Sequence, residues 1–126
     1  YSDKNRVTVN YINVMNQEEL IEPFKNVGVL YDCIIDDSTH NFYDMIRIIR
    51  TSISFLKPGG MIIIEDIQKA YDESWFYTEL KDILDTFQKV FFVDLEHSRR
   101  NSGMVQNDKV LILIKKGESI FNYSLV

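Results

Sequence analysis

The chain has 126 residues and a net charge of −5. That length allows one hydrophobic core, while the negative balance argues against coating of duplex nucleic acid, which draws its affinity from a basic surface. Hydrophobic residues at 45% and charged residues at 26% mark an ordered globular chain, and no apolar run approaches the roughly 20 residues of a membrane span. Cys33 is the single cysteine. This excludes an internal disulfide and a cysteine-based zinc site, fits a reducing cytoplasmic setting, and leads us to expect a thiol packed in the interior.

Val7 to Val14 alternates β-branched and polar residues, the pattern of a half-exposed edge strand. Gln17 to Ile21 reads as a short helix that Pro23 limits to about a turn. Tyr31 to Asp36 is apolar without alternation, so a central parallel strand is expected there. From Asn41 to Phe55, Phe42, Met45, Ile46, Ile49 and Ile53 recur at helical spacing, with Ser38 or Thr39 available to cap the start.

Lys57-Pro58-Gly59-Gly60 should stop that helix and turn the chain into a second central strand, Met61 to Ile64, completing a right-handed βαβ unit. A further amphipathic helix is expected from about Ser74 to Lys89. Two antiparallel strands, Val90 to Leu95 and Val110 to Ile114, follow, with the polar stretch Glu96 to Asp108 between them and a solvated Lys115-Lys116 at the end. The whole reads as one α/β domain with a mostly parallel sheet, residues 1–126. A chain that opens on Tyr1 with a strand-like run suggests that a front portion precedes it.

Each of the two apolar runs ends in a pair of acids, Asp36-Asp37 and Glu65-Asp66, and His40 follows the first. Ligands of parallel sheets sit beyond the carboxyl ends of strands, so both pairs should face one crevice. Asp37 and Asp66 offer hard oxygens to a divalent ion such as Mg2+, with Glu65 or Asp36 in support. His40 offers a base of suitable chemistry to take a proton from an ion-bound hydroxyl. Taken singly, each acid is as readily a helix cap and the histidine a helix-start residue; their convergence favours a site. His97, Arg99 and Arg100 read as a solvated loop, and of Trp75, Phe76 and Tyr77, Phe76 reads as core and the others as a wall of the crevice.

These residues also carry a resemblance. Tyr-Asp-Cys-Ile-Ile-Asp-Asp-Ser-Thr-His, then a helix, then Phe-Leu-Lys-Pro-Gly-Gly-Met-Ile-Ile-Ile-Glu-Asp-Ile, resembles the later half of class I S-adenosylmethionine-dependent methyltransferases. The nearest pattern is that of the metal-dependent sugar O-methyltransferases of the macrolide and rhamnosyl type, Asp-Asp-Gly-Ser-His followed by Pro-Gly-Gly and Glu-Asp; here Ser38 and Thr39 replace the glycine and serine.

The resemblance runs from about Val7 to Lys116. It implies a Rossmann-like, doubly wound sheet with an antiparallel last strand, S-adenosylmethionine and Mg2+ or a similar ion as cofactors, and a saccharide or other small-molecule acceptor. Asp37, Glu65 and Asp66 would bind the ion, His40 and Asp37 would serve catalysis, and Asp36 would lie near the cofactor's methionine end. The Asn13 to Asn16 segment, Asn13 and Met15 in particular, would approach its adenosine. Neither nucleic acid nor a membrane is an expected partner, and homo-oligomerisation is left open. The glycine-rich loop after the first strand and the ribose-binding acid of that family do not occur in these residues. Two other readings stay open at this level: an interaction or capping module that keeps only the back half of such a fold, and a two-metal phosphoesterase.

Overall fold

The computed structural model describes residues 7–95 and 109–117; His97, Arg99 and Arg100 lie outside them. Four strands form one sheet in the order β1-β2-β4-β3, with β1 at Tyr31–Asp36, β2 at Leu56–Ile67, β3 at Phe87–Asp94 and β4 at Lys109–Lys115. β1 and β2 are parallel, and β4 runs antiparallel to both β2 and β3. The α/β architecture with an antiparallel last strand is therefore as the sequence implies.

Strand alternation builds the core. Ile62 pairs with Leu113 and Ile64 with Leu111, and all four are fully buried together with Met45 and Ile49 of helix α2 (Phe42–Ser52) and Phe76 of helix α3 (Glu73–Glu79). Burying each such side chain contributes about 1.5–3 kcal/mol. The other face of the sheet carries the odd-numbered positions of β1, and there the expectation for Cys33 fails. Its thiol is exposed, as is Ile35 at 58%, because the pleat turns both away from the packed side. β1 also lies at the edge of the described sheet, where a central position was expected.

Three local expectations are corrected as well. Residues 7–13 form no strand: among the described residues no strand pairs with them, and β-branched residues hold an extended ladder only against a partner. The first helix, α1, runs Gln17–Val27 straight through Pro23. Asn16 caps its start through hydrogen bonds from Glu18 and Glu19 N–H, Gly28 ends it at φ 70°, and Leu20 and Phe24 anchor it, Phe24 stacking on Phe55 at 5.1 Å. α3 stops at Glu79. A turn and a short 3-10 segment, Leu84–Thr86, follow it, and Phe87 already belongs to β3. Asp82 in that turn is held by both oxygens to Arg50 of α2 at 3.0 and 2.6 Å.

Lys115 is not a solvated end; its ammonium donates to the carbonyls of Ile53 and Leu56, where α2 gives way to β2.

The Lys-Pro-Gly-Gly segment is absorbed into β2 as a bulge. Tyr31 pairs with Leu56 and Cys33 with Met61, so Asp32 alone faces Lys57 to Gly60. Gly60 makes this possible, since a Cβ there would stand 2.9 Å from the Asp32 carbonyl oxygen and 2.9 Å from the Leu56 side chain. Gly59 sits at φ 80° with open space around it. Gly60→Ala should therefore lose about 1–3 kcal/mol in urea unfolding, by forcing β1 and β2 apart. Gly59→Ala should lose about 1–2 kcal/mol, from backbone strain alone. An unchanged unfolding midpoint for Gly60→Ala would contradict the close approach.

Candidate functional site

The turn that leaves β1 is shaped by its own side chains. Asp36 is buried, and its Oδ1 accepts the Ser38 N–H at 3.1 Å and the Ser38 hydroxyl at 2.5 Å. Burial pushes the Asp36 carboxyl above the ordinary carboxylate range, and the Ser38 hydrogen bonds only partly offset it.

Thr39 donates to Asp44 Oδ2 at 2.6 Å. Arg47 donates to the other oxygen of Asp44 at 2.8 Å and to the Val14 carbonyl at 3.1 Å. The cap of α2 is Asn41, which accepts from Tyr43 and Asp44 N–H, and neither Ser38 nor Thr39 takes that role. The helix begins at Phe42, and a cap must immediately precede it.

Two non-glycine residues in the described chain have left-handed backbones, His40 at φ 59° and Asp66 at φ 55°. Both stand at the carboxyl ends of neighbouring parallel strands. At Asp66 the pairing of β2 with β4 is irregular between Ile64 and Ile67, a bulge that re-aims the side chain. Backbone strain of this kind, of order 1–3 kcal/mol per residue, concentrates at functional sites.

The result is a convergence. Asp37, His40 and Asp66 each present a ligand atom within 4.8 Å of one another, Asp37 exposed and the other two half-buried. His40 Nε2 lies 3.9 Å from Asp66 Oδ2, while Nδ1 is buried with no hydrogen-bond partner, so only Nε2 can meet a substrate or ion.

Glu65 is half-buried and Asp36 buried, and neither belongs to this trio. Asn13 accepts from the Met15 N–H at 3.1 Å, and Met15 is exposed. Through the neighbouring Val14 carbonyl, this segment is tied to α2 by Arg47.

The donor chemistry fits a divalent cation. Opposite ligands around a magnesium-sized ion stand about 4.2 Å apart, twice the usual 2.1 Å bond. The Asp37 and Asp66 carboxylate oxygens, within 4.8 Å of each other, thus close onto an ion with side-chain shifts of a few tenths of an ångström.

Beside the trio lies an open pocket of about 510 Å3, lined by Asn41, Phe42, Tyr43, Tyr71, Trp75, Thr78 and Glu79. The Tyr71 hydroxyl donates to the His40 carbonyl at 3.4 Å, which joins the pocket wall to the strained turn. Trp75 was legible in the sequence as a wall residue, and Tyr77 instead donates to the Val90 carbonyl. No periodicity or motif marks Tyr71 and Tyr43, although Asn41 directly before an apolar helical run is a recognisable cap signal.

No protein-family model matches this chain, and no curated protein matches it significantly in sequence. Solved structures do match its fold, which is the methyltransferase fold. One is an O-methyltransferase family protein from Burkholderia thailandensis, with TM-score 0.57 and 13% identity, covering 90% of this chain and 37% of that one. A second is MycE, a methyltransferase of the mycinamycin biosynthetic pathway solved with Mg and SAH, with TM-score 0.55 and 18% identity over 90% of this chain and 33% of that one. The chain thus spans about a third of the length of each.

The raised Asp36 carboxyl has a consequence for stability. The folded chain holds that proton more tightly than the unfolded chain, so the associated stability is complete below the ordinary Asp value of about 3.9 and declines as pH rises through the raised folded value. Asp36→Asn keeps an acceptor for Ser38 and stays neutral. Its stability relative to the parent should improve from acidic to neutral pH, as followed by urea unfolding; a difference independent of pH would contradict the buried-carboxyl account.

Proposed function

We propose that this chain carries the acceptor and ion-binding part of an S-adenosylmethionine-dependent O-methyltransferase that acts, with a divalent metal, on a hydroxyl of a sugar or similar small molecule. The observation that carries this reading is the approach of Asp37, His40 and Asp66 to within 4.8 Å on two neighbouring strand ends, with backbone strain at both His40 and Asp66, in a methyltransferase fold. The presence of Mg and SAH in the MycE structure supports both cofactors.

In this reading Asp37 and Asp66 would hold the ion, and Glu65, outside the trio, would not ligate it. An ion held there would orient the acceptor hydroxyl and make it more acidic. His40 Nε2 accepts the hydroxyl proton, and Asp66 at 3.9 Å stabilises the charge that the ring acquires. S-adenosylmethionine would supply the methyl group, its carbon–sulfur bond breaking as the acceptor oxygen bonds the methyl carbon, to leave a methyl ether and SAH. Asp36 would lie near the methyl donor's methionine end, and the Asn13 to Asn16 segment near its adenosine. Most of the rate would come from alignment and charge stabilisation.

Two measurements test this. Asp37→Ala and Asp66→Ala should each abolish saturable Mn2+ binding read by paramagnetic resonance while the circular dichroism spectrum stays that of the parent; binding retained in both variants would remove the ion site. His40→Ala should lower methyl transfer about 10²–10⁴-fold and leave binding of S-adenosylmethionine nearly unchanged. Near-parental turnover would return His40 to the role of a residue that only starts a helix.

A further inference from the structure

The pocket next to the trio has a character of its own. Phe42, Tyr43, Tyr71 and Trp75 supply its rings, with Phe42 edge-on to the other three at 5.2 to 6.1 Å. Tyr43 and Trp75 remain largely open to solvent, at 66% and 47% exposure. Glu79 is the one charged residue of the lining. No ion pair engages its carboxylate among the described residues; the Arg50 guanidinium, bonded to Asp82 and to the Glu79 carbonyl, interacts with that carboxylate only through space. An aromatic wall offers the negative faces of its rings, and a carboxylate at the rim adds net charge. Together they complement a cation too large and too weakly hydrated to need a full water shell.

We propose that this pocket is an ammonium-binding subsite, selecting an acceptor that carries a substituted amine. The volume of about 510 Å3 has room for an alkylated ammonium group together with the ring or chain that bears it. The Tyr71 link to His40 and the direct succession from His40 to Asn41 and Phe42 hold such a group beside the Asp37–His40–Asp66 trio. The word acceptor rests on the methyl-transfer reading above; binding of the cation does not.

Trp75 is the only tryptophan of the chain and lies in the pocket wall, so its fluorescence reports occupancy. Titration of the full chain, with neither methyl donor nor metal present, should show saturable binding of choline. Its neutral isostere 3,3-dimethylbutan-1-ol should bind about two- to fivefold more weakly, the scale of a solvent-exposed cation–aromatic contact. Glu79→Gln, on an exposed side chain, and Tyr43→Ala should each weaken choline severalfold, with Glu79→Gln leaving the neutral isostere unchanged. Equal affinity for the two probes, absence of binding, or choline binding indifferent to both substitutions would overturn the proposal. Should choline bind as expected while no methyl group passes to any amine-bearing hydroxyl compound, the methyl-transfer reading fails and the ammonium site stands.

Discussion

The parallel pairing of β1 with β2 is the constraint on which the rest depends. From Cys33 opposite Met61 to Asp36 opposite Ile64, the two strands run in step, so their carboxyl ends open at the same level, and Asp37 and Asp66 emerge side by side. That register survives the disparity upstream, where one residue faces four, because Gly60 lets the bulged segment of β2 pass against the Asp32 carbonyl. Any side chain at Gly60 would act on the sheet and, through it, on the spacing of the acids some distance away.

Holding the acids and the histidine together has an energetic cost that the surrounding structure offsets. His40 and Asp66 each occupy a conformation that non-glycine residues avoid. Around His40 the offset comes from Thr39 on Asp44, from Asn41 capping α2 and from Tyr71 on the His40 carbonyl. Asp44 is buried and accepts from both Thr39 and Arg47. Removing one partner of such a network strands a buried charge, so it fixes the turn more firmly than an exposed ion pair would. The link from Arg47 to the Val14 carbonyl extends the same network to the segment before α1.

The site thus joins two kinds of surface. The trio is polar, strained and suited to a hard cation; the adjoining pocket is aromatic and acidic only at Glu79. Both begin at one short turn, since His40 belongs to the first and Asn41, Phe42 and Tyr43 to the second. A ligand held by the rings would therefore be positioned relative to Asp37 and Asp66 by the backbone at the start of α2.

The sequence by itself determined the α/β class, the β1–α2–β2 unit, the antiparallel closing strands and the meeting of Asp37, His40 and Asp66. These follow from local apolar periodicity and from the rule that parallel strands open their ligand sites at one end. Tertiary structure decided what depends on neighbours. Residues 7–13 have strand-forming side chains but no ladder partner among the described residues, and α1 overrides Pro23 because its caps and the packing of Phe24 outweigh one lost hydrogen bond. Cys33 is exposed because its side of the pleat, rather than its hydropathy, sets burial. The aromatic pocket assembles rings from the start of α2 and from the Tyr71 to Glu79 segment, about 30 residues apart in the chain. No periodicity within either segment encodes that meeting, because it arises only when the two helices pack on the same face of the sheet.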